Sequence, residues 1–340
     1  MSSIYIIALG SIPLALWGYA LVTALKRWVF KVLNRRRKGA IPTLVVGNLS
    51  AGGTGKTPMI LWLLSQYTDL KLGVLSRGYG RKTRGFQWVS NEGSSSEFGD
   101  EPLEIKSNYT DLPVAVSEDR LEGLDQMHLK FSELQGVVLD DGLQHLKLDP
   151  HKSVILSRYD KPYYNLRFSL PLGGLREFPF TAKYADAVIF TKCPLDLTKA
   201  AAEATIKKTA LPKDRVFFAH YRQTEPLRVL GEPSSSKRAL FISGVAEKLE
   251  FKQAGWEIVN TINYPDHQSF TLDTAEQWLK TLKKHELNLL LLTRKDWQRI
   301  RNTRITKILS ENLISVYETH TEVEVLWNQK EELLQLLKPC

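Results

Sequence analysis

The sequence predicts an α/β protein built on a doubly wound parallel sheet. Short apolar runs alternate with helical stretches from Thr43 onward, and the runs are continuously apolar instead of alternating with polar residues. A glycine-rich turn joins the first run to the first helical stretch. Strands that are apolar on both faces are typical of a parallel sheet covered by helices on both sides.

Five apolar runs in the first part of the chain predict strands, and a helix follows the first of them. The runs are TLVVGN, KLGVLSRG, LPVAVSEDR, LQGVVLDDG and DAVIFTK, and the helix is MILWLLSQY, Met59–Tyr67. The Ser/Gly-rich segment Asn91–Pro102 is predicted as a flexible loop.

A Pro/Ser-rich stretch, Gly231–Ala239, interrupts this alternation of predicted strands and helices. Beyond it, ALFISGVA, WEIVNTINY and LNLLLLTRKD predict strands, and Leu272–Lys284 predicts an amphipathic helix. The chain of 340 residues is long enough for about two domains. We therefore interpret 39–230 as the main domain and 237–340 as a smaller α/β domain that closes over it.

The N-terminus predicts a membrane-associated helix over residues 1–38. Residues 1–25 carry no charged side chain, and the basic stretch Lys26–Lys38 follows them. A signal peptide has its positive charge before the apolar run, so this order argues against cleavage. The segment either spans the bilayer or lies in its interface, peripheral or monotopic, and the basic flank favours a cytoplasmic position for the rest. A buried helix of the globular fold is the alternative.

The charge balance indicates an anionic partner. The formal net charge is +9, which suits nucleic acid, an anionic membrane surface or a phosphorylated substrate. The two cysteines, Cys193 and Cys340, exclude a disulfide framework and suit a reducing cytosol.

The stretch SAGGTGKTP, Ser50–Pro58, predicts a phosphate-binding P-loop. Gly55-Lys56-Thr57 fits the pattern, whereas Ser50 stands where the first glycine is usual. Main-chain amides and the helix dipole would face the phosphates, Lys56 would reach the outer phosphates, and the Thr57 hydroxyl would ligate Mg²⁺. A glycine turn before a core helix is the alternative. The predicted nucleotide-binding residues are Ser50, Ala51, Gly52, Gly53, Thr54, Gly55, Lys56 and Thr57.

A P-loop also predicts an acidic side chain at the end of a neighbouring strand. Asp140 and Asp141 close the apolar run GVVLDDG, and one of them is expected to face the metal. The alternative is a pair of turn or helix-capping aspartates.

Among P-loop proteins, the sequence favours a small-molecule kinase. A GTPase would carry Asn-Lys-x-Asp, but Thr191–Pro194 lacks both the Asn and the Asp; a dimeric partitioning ATPase would carry a lysine where Ala51 stands. A kinase needs a base near the γ-phosphate, and Gly99–Pro102 and Tyr264–His267 supply carboxylate and imidazole candidates. The loop Gly173–Glu177 is a candidate phosphate clamp.

The ordered set VVGNLSAGGTGKTP, SRGYGR, GDEP, SEDR, LDDGLQH, GGLRE, YPDHQSF and TRKD resembles the tetraacyldisaccharide 4'-kinase family, the lipid A 4'-kinases. The resemblance runs from about Thr43 to Asp296. Arg294 departs from it, because the family usually has an acidic residue there, and Gly174 stands where a proline is common.

The resemblance implies transfer of the γ-phosphate of ATP to the 4'-hydroxyl of a tetraacylated glucosamine disaccharide 1-phosphate, at the cytoplasmic face of the bacterial inner membrane. It implies that Asp100 pairs with His267 to activate the acceptor hydroxyl, and we expect Lys56 to be catalytic as well. Thr57, Asp140 and Glu101 are implied at the metal. The implied lipid-head contacts are Asn48, Arg120, Gln144, His145 and Glu177.

We therefore expect ATP and Mg²⁺ as cofactors, and a lipid-linked disaccharide and the anionic inner-membrane surface as partners. We expect a monomer and no nucleic acid. A regulatory protein that uses ATP hydrolysis as a switch remains the second hypothesis, and a nucleic-acid-binding ATPase the third.

Overall fold

The computed structural model describes residues 22, 25, 28–30, 32–33, 36–166, 168, 170, 173–245, 251, 253–265 and 268–339. The chain forms two compact units. The first unit consists of Met1–Arg77, Ser117–Tyr221 and Val323–Cys340, and the second of Gly78–Val116 and Arg222–Glu322.

The strands are, in chain order, β1 (Thr43–Asn48), β2 (Leu72–Ser76), β3 (Gln87–Trp88), β4 (Val114–Val116), β5 (Gly136–Asp140), β6 (Lys152–Arg158), β7 (Ala187–Thr191), β8 (Val216–Gln223), β9 (Leu227–Leu230), β10 (Arg238–Ser243), β11 (Glu257–Asn263), β12 (Leu289–Thr293), β13 (Ser315–Thr319) and β14 (Thr321–Val325). The α-helices are α1 (Lys56–Gln66), α2 (Ser95–Phe98), α3 (Asp100–Asn108), α4 (Arg120–Lys130), α5 (Lys199–Thr209), α6 (Leu272–Lys284), α7 (Arg294–Ile300), α8 (Arg304–Glu311) and α9 (Lys330–Leu337).

The first unit contains the parallel sheet that the sequence predicts. Its strands follow the order β14-β8-β7-β6-β1-β5-β2, and β1 pairs in parallel with both β5 and β6. Every residue of β1 is buried, as continuous apolar runs require when both faces of a sheet are covered. The loop after β1 leaves the carboxyl end of a central strand. It therefore lies at the edge of the sheet where parallel α/β sheets bind their ligands.

The second unit has a sheet of its own, in the order β11-β10-β12-β13-β9, with only β9 antiparallel to its neighbour. Its core includes Leu240, Leu290, Leu292 and the fully buried Trp278 of α6. The Trp278 indole donates to the Tyr264 hydroxyl at 2.9 Å, so the one polar atom of this large side chain is satisfied.

The units divide the chain differently from the sequence-based boundaries of 39–230 and 237–340. Gly78–Val116 belongs to the second unit because α3 packs on α7. The C-terminal segment from Val323 belongs to the first unit, where the Tyr67 hydroxyl donates to the Leu334 carbonyl oxygen at 2.7 Å.

Most predicted elements are present, and α6 has the predicted bounds. The flexible-loop prediction for Asn91–Pro102 is wrong. Ser94 and Glu97 form a capping box that begins α2, and Asp100 begins α3. This Ser-x-x-Glu signal starts a helix even within a Ser/Gly-rich stretch.

The predicted membrane-associated helix over 1–38 lies mostly outside the described residues. Among those described, Val22, Leu25, Trp28–Phe30 and Val32 are helical, and Leu25, Trp28 and Val32 are exposed. Within the described part of the chain, no helix combines the length and apolar character needed to cross a bilayer.

Candidate functional site

The glycine-rich loop between β1 and α1 has backbone angles that glycine alone adopts readily. Gly52, Gly53 and Gly55 have φ values of 79°, 45° and 79°, and Gly55 is the residue before the first turn of α1. No side chain caps this helix, so its N-terminus is of the kind that binds anions through main-chain amides. The Asn48 side chain braces the bend by donating to the Ser50 carbonyl oxygen at 2.7 Å and to the Thr54 hydroxyl at 3.1 Å.

A distant segment of the first unit pairs with the start of this loop through main-chain hydrogen bonds. Ser50 and Leu175 form an antiparallel bridge. The Ala51 amide donates to the Gly174 carbonyl, and the Arg176 amide donates to the Leu49 carbonyl, each at 2.7 Å. The loop that carries Arg176 and Glu177 is therefore attached directly to the glycine-rich loop.

Two further side chains hold the end of the loop. The Thr191 hydroxyl, at the end of β7, donates to the Thr54 carbonyl at 2.9 Å. The Tyr221 hydroxyl donates to the Gly55 carbonyl at 3.0 Å, and a β-carbon added to Gly55 would stand 2.2 Å from the Tyr221 ring. The ring thus excludes any side chain at this position.

Asp141 forms ion pairs with two cations beside the loop, Lys56 and Arg176. Its Oδ2 lies 3.7 Å from Lys56 Nζ and 2.7 Å from Arg176 Nη1. Burial raises the pKa of Asp141, but the charges of Lys56 and Arg176 outweigh burial and hold the pKa below its usual value. Among the described residues, Asp141 Oδ1 has no hydrogen-bond partner. The loop lysine and the arginine are therefore held on one carboxylate.

Asp140 lies at the carboxyl end of β5, in register with Val46 of β1. Its carboxylate accepts from the Ser76 hydroxyl at 3.0 Å, while its carbonyl oxygen accepts from Arg120 at 3.2 Å. In the described part of the chain, no three His, Cys, Asp or Glu side chains cluster as a metal site. Mg²⁺ in phosphoryl-transfer sites needs only one or two protein oxygens besides phosphate and water, so the hydroxyl of Thr57 and the carboxylate of Asp140 are a suitable donor set.

The structure brings three of the five expected lipid-head residues together. Gln144 Nε2 donates to Glu177 Oε1 at 3.1 Å and approaches the Asn48 carbonyl at 3.5 Å.

Arg120 is 2% exposed and donates inward to main-chain oxygens. Burial lowers the pKa of Arg120 to about 10. His145 lies 3.7 Å from Asp119, and burial lowers its pKa. The contacts described for Arg120 are thus internal to the first unit.

A largely apolar cavity of about 700 Å³ opens next to His145 in the first unit. Its wall includes Leu25 and Trp28 from the N-terminal segment. Other lining side chains come from the stretch after β5 and from the 3₁₀ helix Pro179–Tyr184, and include Leu143, Leu146, Leu148, Phe180 and Tyr184.

In the second unit, Asp100 and Glu101 are the first two residues of α3, and both pair with α7. Arg299 donates to Asp100 Oδ2, and Lys295 Nζ lies 2.9 Å from Glu101 Oε1. The sequence also implied a role for His267, but this residue lies outside the described residues. Nearby Glu104 is buried, and the loss of hydration raises its pKa to about 7.

Several residues that support these sites have no recognisable signal in the sequence. The motif GGLRE pointed to the Arg176 loop, but nothing local indicated the contacts made by Thr191 or Tyr221, which are separated from the loop by more than a hundred residues. Lys295 and Arg299 were likewise not singled out, because their importance depends on the packing of α3 against α7.

Three comparisons relate the chain to known proteins. Residues 10–338 match the model of the family described as tetraacyldisaccharide-1-P 4'-kinase. The tetraacyldisaccharide 4'-kinase of Cytophaga hutchinsonii is 30% identical over 331 residues, which cover 94% of this chain and 92% of that protein. That of Porphyromonas gingivalis is 33% identical over 315 residues, 87% of each chain.

The fold resembles a crystal structure of LpxK from Aquifex aeolicus that was solved in complex with ATP. The TM-score is 0.70 at 23% identity, and the match covers 96% of this chain and 99% of that one. At this level of identity, the likeness confirms the predicted α/β fold class.

A pair of glycine substitutions separates backbone strain from steric exclusion in the loop. Gly52 and Gly55 both have φ of 79°, but a β-carbon has open space at Gly52 and meets Tyr221 at Gly55. G52A should lose about 1–2 kcal/mol of unfolding free energy, because it forces alanine into a left-handed conformation, and G55A should lose more, because its methyl group also meets the Tyr221 ring. Only G55A should weaken nucleotide binding by more than about 100-fold, about 2.7 kcal/mol.

Denaturant unfolding and titration with a fluorescent ATP analogue would measure the two effects. Equal affinities in G52A and G55A would contradict the steric role assigned to Tyr221.

Proposed function

The chain belongs to the tetraacyldisaccharide 4'-kinase family, and from this premise we propose that it transfers the γ-phosphate of ATP to the 4'-hydroxyl of a tetraacylated glucosamine disaccharide 1-phosphate. This reaction is a step of lipid A biosynthesis. The observation that carries the proposal is the glycine-rich loop, braced on both sides and flanked by Lys56, Arg176 and Asp140, in a chain of this family.

On the nucleotide side, Lys56 and Arg176 bind phosphate oxygens after they leave Asp141. Both cations already lie within 4 Å of one carboxylate oxygen, so they can converge on one small anionic group. Such fixed cations stabilise the charge that spreads over the transferred phosphoryl group. The main-chain amides from Ser50 to Thr57 hold the remaining phosphates.

The metal assignment follows from the donor oxygens. The hydroxyl of Thr57 and the carboxylate of Asp140 would hold Mg²⁺, and the bound ion would neutralise charge on the triphosphate. The sequence also predicted Glu101 at the metal, but its carboxylate pairs with Lys295. Glu101 would have to leave that ammonium group before it could ligate a cation.

On the acceptor side, Asp100 and His267 orient and deprotonate the 4'-hydroxyl. A carboxylate that orients an imidazole is an established way to make a general base that works near neutral pH. Asn48, Gln144 and Glu177 offer a connected polar set for a sugar head group, and Arg120 and His145 were predicted with them. The neighbouring, largely apolar cavity of about 700 Å³ offers room for acyl-chain segments.

The amphiphilic acceptor also explains the N-terminal sequence. We propose that residues 1–38, apolar first and basic after Lys26, bind the anionic cytoplasmic face of the inner membrane, where the acceptor lipid is found. The enzyme would then work as a monomer on substrate presented by the bilayer.

An acceptor assay tests the function directly. Protein, MgATP labelled in the γ-phosphate and a tetraacylated disaccharide 1-phosphate in mixed micelles should give labelled lipid. K56A should reduce transfer by about 10²–10³, because a fixed cation is lost where charge develops. K207A, which removes an exposed lysine of α5, is the matched control and should retain full activity.

Label released only as inorganic phosphate would support the switch hypothesis instead. Label released only in the presence of nucleic acid would support the third hypothesis. Either result would contradict the kinase assignment.

Substitutions of the proposed dyad test the acceptor side. D100N and H267A should each lower kcat by about 10²–10⁴, with the KM for ATP almost unchanged, because general-base assistance is lost and nucleotide binding is not. D273N and H128A, at exposed positions on α6 and α4, are the controls. Full turnover in both dyad variants, measured by the same lipid assay, would remove this pair from the mechanism.

Deletion of residues 1–25 tests the membrane proposal. The truncated protein should sediment less with vesicles containing anionic lipid, because about 25 apolar and uncharged residues no longer contribute to insertion. Its kcat with a water-soluble, short-chain acceptor should stay within about threefold of the full chain. Equal sedimentation of both proteins would show that these residues do not anchor the enzyme.

A further inference from the structure

The carboxylate of Asp100 is held by a buried arginine of the same unit. Arg299 Nε and Nη2 both donate to Asp100 Oδ2, at 3.0 Å and 2.8 Å. The two side chains are only 4% and 8% exposed. Two donors of one planar guanidinium converge on a single carboxylate oxygen and fix its position, which a lysine ammonium cannot do equally well.

Arg299 is itself fixed by a second set of contacts. Its Nη1 donates to Asp296 Oδ1 at 2.8 Å and to the Gly244 carbonyl at 2.6 Å. Asp296 is fully buried and accepts in turn from the Gly244 amide at 2.9 Å and from the Thr293 hydroxyl at 2.6 Å. The guanidinium therefore has a defined orientation before it meets Asp100.

Gly244 provides the space for this arrangement. A β-carbon at Gly244 would stand 2.8 Å from Asp296 Oδ1 and 2.9 Å from Arg299 Nη1. These neighbours are the ends of side chains, so a methyl group here would displace the guanidinium more readily than it would disturb strand β10. The position offers a way to move Arg299 without removing its charge.

A second ion pair joins α7 to α3 beside the pair of Arg299 and Asp100. Lys295 lies one helical turn before Arg299 on α7, and it pairs with Glu101, the residue after Asp100 on α3. The first turn of α3 is thus held at two successive carboxylates. This double attachment fixes the rotation of α3 about its own axis as well as the direction of the Asp100 side chain.

We propose that Arg299, oriented by Asp296 and Gly244, is a positioning residue for Asp100. This inference rests on the proposed function, because it assigns Arg299 a role in the same reaction. Arg299 holds the Asp100 carboxylate in the direction needed to orient its imidazole partner or the acceptor hydroxyl, and touches neither ATP nor acceptor. Loss of that orientation lowers the rate of phosphoryl transfer and leaves nucleotide binding intact.

Kinetics of four variants test the proposal in the lipid assay. R299M should lower kcat by about 10²-fold with the KM for ATP within about threefold, since misplacement of a reacting group costs about that much. R299K restores the positive charge but not the planar guanidinium, so its kcat should be about tenfold higher than that of R299M. G244A should lower kcat by about tenfold. R301Q is the matched control, because Arg301 follows α7 but donates to the Asn91 carbonyl, and its kcat should stay unchanged.

The double variant D100N/R299M separates positioning from a structural role. If Arg299 acts through Asp100, adding R299M to D100N should lower kcat by less than about threefold further. A purely structural arginine would multiply the two losses. R299K and G244A retain the buried charge, so the proposal can still be tested if R299M does not fold.

Three outcomes would overturn the inference: kcat near wild type in both R299M and G244A, a loss confined to the KM for ATP, or multiplicative losses in the double variant. Failure of the proposed function looks different. A wild-type protein that labels no lipid overturns the function, and the role of Arg299 in it, before any variant is compared.

Discussion

The main-chain pairing between Leu49–Ala51 and Gly174–Arg176 is the constraint on which the first unit's site depends. A glycine-rich bend has little conformational preference of its own, because glycine adopts left- and right-handed conformations almost equally well. The antiparallel bridge at Ser50 and the two 2.7 Å hydrogen bonds remove that freedom from one side. Thr191 and Tyr221 remove it from the other side through the carbonyl oxygens of Thr54 and Gly55. The loop is therefore preorganised, and a ligand need not supply the ordering entropy.

The second unit contains several buried carboxylates, and arginines stabilise their charge. Asp100, Asp296 and Glu318 are all nearly inaccessible to solvent, and each is matched by an arginine. Removing charges from water is costly unless partners with good geometry replace the lost hydration. The helix α7 supplies Arg294, Lys295 and Arg299 within two turns. The segment TRKDWQR is therefore a compact source of positive charge: Lys295 and Arg299 pair with the acidic start of α3, and Arg294 pairs with Glu318.

The sequence predicted the local features well because their signals are local. The glycine-rich bend, the strand β1 before it and the acidic end of β5 follow from spacing and apolar runs alone. The short helix α2 was not identified, because only the Ser94–Glu97 capping box marks it. The contacts of Thr191, Tyr221 and Arg299 could not be predicted, since they join residues 137, 166 and 199 positions apart. Hydrophobic periodicity indicates which residues are buried, but it does not specify which distant side chains meet.

The pairing of Lys56 and Arg176 with Asp141 has a consequence for selectivity. Asp141 acts as an internal counter-ion that occupies the cationic end of the loop. A competing anion must break two charge-assisted contacts before it gains any of its own. Chloride or inorganic phosphate offers too few contacts to compensate for both, whereas the nucleotide proposed above would also engage the amides along the bend. The carboxylate thus keeps these two partly buried cations from binding small anions that lack the contacts of a nucleotide.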